Sequence, residues 1–188
     1  MTGAVERPFV IEQFDPERHK RKGFRCGVTA VDNYFQRTAN KLAKAGNVRL
    51  YVMVASDGIV AGFYALNAHA VCYEALPPRY VRARPSHGTI PAAFISMMAR
   101  DERYRGHGIG GDLLVDALGR IARAADQIGI AVVMLDVLDC GDAQRVERRL
   151  ALYESYGFTP LPSKPRRLFL PVATIRRLLD ELSQPAGQ

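Results

Sequence analysis

With 188 residues, 48% of them hydrophobic and 24% charged, the chain has the size and composition of one globular domain, 1–188, able to bury a core. No apolar run is long enough to span a membrane and the first residues lack a signal-peptide core, so a cytoplasmic protein without a membrane partner is expected. Three scattered cysteines without a Cys-x-x-Cys pair argue against a disulfide framework or structural zinc, and the net charge of +7 leaves room for an anionic partner such as RNA.

In chain order, Phe9 to Phe14 reads as a first strand, and the residues before it, 1–6, as a loose tail. Val31, Tyr34, Phe35, Thr38 and Leu42 recur at helical spacing, and Gly46 suits the left-handed position that ends a helix. Val48–Ala55 and Ile59–Leu66 form two strands around the turn Ser56-Asp57-Gly58, with Ala68–Tyr73 continuing or following the second. Ala75–Thr89, with three prolines and several arginines, is a loop long enough to carry function.

Ile90–Ala99 is the central strand. Ile109, Leu113, Leu114, Ala117, Leu118, Ile121, Ala125 and Ile128 then give the clearest helical period, closed by Gly129. Ile130–Leu138 reads as a buried strand, Asp142–Tyr156 as a helix, Arg167–Leu170 as a last strand and Val172–Leu182 as a closing helix, with 184–188 loose. The order predicts a mixed α/β (α+β) domain, largely antiparallel in its first half, with a βαβ unit around the glycine turn.

That turn carries the functional signal. Arg105-Gly106-His107-Gly108-Ile109-Gly110 joins an apolar strand to an amphipathic helix. Glycines let backbone N–H groups converge, the helix start adds partial positive charge, and Arg105 adds a full one. The result suits a pyrophosphate. It lacks the Gly-Lys-Ser/Thr of a Walker loop and the further signals of a dinucleotide fingerprint.

The pattern Arg-x-x-Gly-x-Gly resembles the acetyl-CoA loop of the GNAT acyltransferase superfamily. Phe24-Arg25-Cys26-Gly27 leading to Val31-Asp32, Arg49–Val52 followed by Ile59–Leu66, and Leu152-Tyr153-Glu154-Ser155-Tyr156-Gly157-Phe158 narrow it further. Together they resemble the GNAT toxins of bacterial toxin–antitoxin pairs. Residues 139–149 read as longer than the link usual in the family the chain resembles, as an added loop or helical turn.

The resemblance implies a GNAT fold, a central, mostly antiparallel mixed sheet flanked by helices, and an N-acetyltransferase drawing on acetyl-CoA with no metal. It implies cofactor contacts along Met98, Ala99, Arg100, Arg105, Gly106, His107, Gly108, Ile109 and Gly110. A backbone N–H of Met98 or Ala99 polarises the thioester carbonyl, and Tyr153 is the general acid toward the sulfur, with Tyr156 in reserve.

No general base stands out: Asp101 and Glu102 lie in a turn where carboxylates are usually solvated, and His69, His87 and His107 are scattered. An α-amine is far less basic than a lysine amine, so aminoacyl-tRNA needs no dedicated base. The implied partners are aminoacyl-tRNA, a ribbon-helix-helix antitoxin and a second copy in a homodimer. A small amine, an antibiotic, a protein N-terminus or a non-catalytic binding role remain as alternatives.

Overall fold

The structure, a computed structural model, describes residues 9–80 and 88–183. His87, Arg82, Arg84 and the tails 1–6 and 184–188 lie outside the described residues. The strands are β1 (Phe9–Gln13), β2 (Arg49–Ala55), β3 (Val60–Cys72), β4 (Thr89–Arg100), β5 (Val132–Asp136), β6 (Thr159–Leu161) and β7 (Lys164–Pro171). They line up in the order β1-β2-β3-β4-β5-β7-β6.

The pairs β1–β2, β5–β7 and β6–β7 are antiparallel, whereas β4–β5 is parallel. A parallel pair needs a long crossover, and helix α3 (Ile109–Ala125) supplies it. The mixed, mostly antiparallel α/β fold expected from the sequence is the fold observed. Among the described residues, no helix is long and apolar enough to cross a membrane.

Contacts divide the chain into two compact units. One combines the chain up to Ala65 with Met97–Leu114. Its core is aromatic: Phe35 stacks on Phe63 with ring centres 4.2 Å apart, and Phe24 meets both rings edge-on at 4.9 and 5.3 Å. Phe24, the first residue of the Phe-x-Cys-Gly stretch, is therefore a packing anchor, 2% exposed.

The helical run in this unit departs from the simple expectation. It consists of α1 (Thr29–Asn33), a π segment (Tyr34–Thr38) and α2 (Ala39–Lys44). The wider π turn, in which the Ala39 N–H donates to the Tyr34 carbonyl, moves the buried stripe on by one residue. Ala39 is fully buried and Thr38, expected on the apolar face, is exposed. The run ends as expected at Gly46, with φ of 76°, where Asn47 N–H donates to the Leu42 carbonyl and Gly46 N–H to that of Ala43.

The other unit combines Leu66–Ser96 with the chain from Val115 onward. Val71, Ile90, Ala92, Val132, Met134 and Phe169 form its core. Helices α4 (Ala143–Ser155) and α5 (Val172–Ser183) match the two predicted at the C-terminal end. Ile128 is not on the apolar face of α3: that helix ends at Ala125 and Ile128 is 63% exposed. Strand β6 was not anticipated, since Pro160 sits within it; as an edge strand it tolerates a residue that cannot donate to the ladder. Residues 139–149 form a turn in which Asp139 accepts from Gly141 N–H, followed by the start of α4, capped by Asp142 accepting from Arg145 N–H.

Gly62 on β3 sets how closely α3 can approach. A Cβ there would lie 2.8 Å from Leu113 Cδ1, 3.1 Å from Ile109 Cγ2 and 3.1 Å from the Ala99 carbonyl oxygen. Gly62→Ala is therefore expected to destabilise the protein by about 1–3 kcal/mol, read as a lower denaturant midpoint with an unchanged slope.

Candidate active site

Residues Met98 to Gly110 lie in the first unit as one continuous stretch: the end of β4, a turn, and the start of α3. Met97 and Ala99 pack toward the aromatic core. Asp101 N–H donates to the Ala61 carbonyl of β3 at 2.8 Å, so the two-residue repeat of a strand turns the Ala99 N–H toward β3 and the Met98 N–H to the opposite edge.

The turn is bracketed by Asp101. Its side chain is 1% exposed, not solvated as expected of a carboxylate there. It accepts from the Arg103 side chain through Nε and Nη2, both at 2.8 Å, from Arg103 N–H at 3.0 Å and from Arg25 N–H at 3.1 Å. Glu102 N–H in turn donates to the Arg25 carbonyl at 2.8 Å. Burial pushes the Asp101 carboxyl up, but the Arg103 and backbone hydrogen bonds outweigh it and hold it below the ordinary carboxylate range. A carboxylate so fully engaged is structural and no base.

Beyond the bracket, a short 3₁₀ turn (Glu102–Tyr104) leads into the glycines. Gly106 and Gly108 have φ of 85° and 72°, which side-chain-bearing residues rarely adopt, and no atom lies within 4 Å of where a Cβ would sit. Gly108 caps α3: its carbonyl accepts from Gly111 and Asp112 N–H. Ile109, fully buried, pins the first turn, while Gly110 is half-buried. The leading amides of a helix have no intrahelical acceptor, so this end is an open cradle with positive partial charge.

Arg105 is exposed and has no carboxylate partner among the described residues. Desolvation, and then the charge of Arg105, hold the Arg100 guanidinium below its usual value. Arg100 Nη1 donates to the Asp101 carbonyl at 3.1 Å, whereas exposed Arg105 directly precedes the glycines and the open amides, where an anion would meet its charge. His107 is exposed; its Nδ1 lies 3.2 Å from the Arg105 carbonyl and its ring meets Phe9 edge-on at 6.0 Å.

Tyr153 belongs to the second unit, on α4. Its ring meets Phe158 edge-on at 6.0 Å, and desolvation raises its phenol above the ordinary value, with Arg149 pulling the other way. Such a phenol keeps its proton at neutral pH. Tyr156 closes α4 at its C-cap. His69 packs beside Phe94, with ring centres 5.1 Å apart. Among the described residues, no group of three or more His, Cys, Asp or Glu is placed to hold a metal.

The residues that sequence reasoning missed are Arg25 and Arg103, which bracket the turn through Asp101. A partial signal existed: Asp-x-Arg is the spacing at which an aspartate side chain accepts from the backbone two residues on. The remaining motif residues are also structural, since Asp32 Oδ1 accepts from Cys26 N–H at 2.8 Å and Gln36 Nε2 donates to the Phe24 carbonyl at 2.8 Å.

Asp101→Asn is expected to cost about 1–3 kcal/mol at neutral pH. Because the folded carboxyl lies below its unfolded value, that contribution is present in full above the ordinary carboxylate range and is lost as pH falls through the folded value. Denaturant midpoints measured against pH should show the gap between wild type and variant closing below about pH 4.

The comparisons with known proteins agree with this geometry. The acetyltransferase (GNAT) domain model matches residues 46–160. A "probable toxin TacT" of Sinorhizobium fredii is 62% identical over 95% of this chain and 98% of its own length. A "tRNA-acetylating toxin" of Mycobacterium tuberculosis is 31% identical over 84% of this chain and 89% of its own. Among solved structures, the toxin AtaT complexed with acetyl-methionyl-tRNA superposes with a TM-score of 0.79 at 23% identity, over 91% of this chain and 99% of that one. A tyrosine-to-phenylalanine variant of AtaT bound to acetyl-CoA and the C-terminus of the antitoxin AtaR gives 0.74 at 20% identity, over 94% and 99%. With the strand, glycine turn and helix in place and the domain model covering both sides of them, the chain belongs to the GNAT acetyltransferase family.

Proposed function

We propose that this single-domain acetyltransferase moves the acetyl group of acetyl-CoA onto the α-amino group of aminoacyl-tRNA, and so acts as a cytoplasmic toxin that blocks peptide-bond formation. The observation that carries the reading is the open, positively charged turn from Arg105 to Gly110. Its amides and Arg105 suit the diphosphate of acetyl-CoA, and Arg100 and His107 flank it. The 31% identity to a tRNA-acetylating toxin supports the acceptor.

The chemistry follows from the residues. Met98 N–H, on the edge of β4 away from β3, is the donor aimed at the thioester oxygen; Ala99 N–H, turned toward β3, is not. Arg105 and the glycine turn hold the nucleotide end while the pantetheine arm runs beside Met98–Arg100, which fixes the carbonyl for attack. The neutral α-amine adds to the carbonyl carbon, the C–S bond breaks, and Tyr153 gives its phenolic proton to the departing sulfur. The new ammonium loses its proton to solvent, as its low basicity allows, and the Tyr153 phenolate regains one from solvent.

A ribbon-helix-helix antitoxin is the proposed inhibitor and a homodimer the proposed assembly; the antitoxin-bound AtaT structure supports the first. Two experiments test the reading. Labelled acetyl-CoA offered to charged tRNA and to free amines should label the esterified amino acid, and labelling of free amines alone would overturn the acceptor. Tyr153→Phe should lower kcat by roughly a hundredfold or more while leaving acetyl-CoA affinity within a few-fold. Undiminished transfer would remove Tyr153 from the chemistry.

A further inference from the structure

The +7 charge is unevenly committed. Four arginines later in the chain are ion-paired: Arg145 with Asp142, Arg166 with Asp139, Arg167 with Asp136 and Arg176 with Asp126. The run that follows β1 is different. Arg18 is held by Glu12, but Lys20, Arg21 and Lys22 line an open cavity of about 600 Å³ together with Arg37 and Gln36 from the π segment. No carboxylate lines this cavity, and Lys20, Lys22 and Arg37 have no carboxylate partner among the described residues.

The walls are built and not merely flexible surface. His19 is 3% exposed: its Nδ1 accepts from Asp15 N–H at 2.9 Å, so Nε2 carries the proton directed at Glu12, 2.7 Å away. Arg21 reaches the Phe35 carbonyl at 3.4 Å and lies over the Phe14 ring at 5.5 Å. The π segment contributes Gln36 and Arg37 to the same lining. Cations gathered without counter-charges repel one another, and a multivalent anion relieves that repulsion. Four of the seven lining residues, Lys20, Arg21, Lys22 and Arg37, carry positive charge and none carries negative charge, which favours an anion such as phosphate.

We propose that this cavity is a phosphate-binding site that grips the RNA backbone of the acceptor, with Lys20, Lys22 and Arg37 as its contacts. The inference rests on the proposed aminoacyl-tRNA activity and assigns the RNA to the basic run that follows β1. Contacts to backbone phosphate carry no sequence information, so the site would position the acceptor arm without choosing between tRNAs.

The test compares wild type, the triple variant Lys20→Gln/Lys22→Gln/Arg37→Gln, and a control, Arg166→Gln/Arg176→Gln, that removes arginines already ion-paired. Arg21 is left in place because it also supports the core. Binding of uncharged tRNA is followed by anisotropy at several salt concentrations, with acetyl-CoA affinity and melting temperature measured alongside. The triple variant should bind tRNA roughly tenfold to a hundredfold more weakly near 0.1 M salt, and its log–log salt slope should fall by about two to three. Its melting temperature and acetyl-CoA affinity should stay at wild-type values, and the control should bind tRNA as wild type does.

Equal weakening in the control would reduce the effect to net charge and overturn the proposal. A loss of acetyl-CoA affinity would give the cavity to the cofactor, and lost binding of a polyglutamate peptide with tRNA binding intact would give it to an acidic protein; either overturns the proposal. If wild type acetylates charged tRNA and the triple variant does so equally at every salt concentration, the cavity assignment fails while the activity stands. If wild type neither binds nor acetylates charged tRNA, the activity itself is wrong.

Discussion

A single buried carboxylate, that of Asp101, holds the working end of the first unit in shape. It sits where β4 stops, and it gathers the Arg103 side chain, the Arg103 amide and the Arg25 amide into one hydrogen-bonded bracket. Burying a charge is costly unless it is paired and fully hydrogen-bonded, and here it is both. The bracket ties the Phe24–Gly27 segment to the exit of the strand, so the direction in which the chain enters the glycine turn is set before the glycines are reached. Gly62 adds a second constraint from β3 by leaving no room for a side chain under α3. Between them the helix start is placed closely, which a cradle of backbone amides requires.

The same economy of contacts sorts the charges. Arg103 is spent on structure, and Arg166, Arg167 and Arg176 answer nearby aspartates. Arg105 and the trio Lys20, Lys22 and Arg37 have no such partners among the described residues. These are also the cations found at an open turn and around a cavity. Uncompensated charge held on a rigid frame is poor for stability and good for binding anions, and an acetyltransferase acting on RNA has two to bind.

The fold was largely legible in the sequence because its strongest signals are local. The β2–β3 hairpin announces itself through Asp57-Gly58 and α3 through its apolar period, and the range read for α4, Asp142–Tyr156, brackets the helix observed. What was not legible depends on geometry that no periodic rule carries. The π turn moved burial from Thr38 to Ala39 because one helical turn is wider than the rule assumes. Ile128 kept the period of α3 after the helix had ended, and β6 hid behind a proline that only an edge strand can hold. The glycine turn and Tyr153 could be singled out as candidates from spacing and resemblance. The burial of Asp101 could not, since its partners Arg25 and Arg103 include one that lies 76 positions away in the chain.

The central claim is that the amides and Arg105 of the glycine turn grip a diphosphate. Calorimetric titration of the purified protein with acetyl-CoA, set beside S-acetylpantetheine, which carries the same thioester and arm without the nucleotide and its phosphates, tests it most directly. Acetyl-CoA should give clear heat and saturation, and the truncated thioester should bind at least a hundredfold more weakly. Equal affinity for the two, or no binding of acetyl-CoA at all, would contradict it.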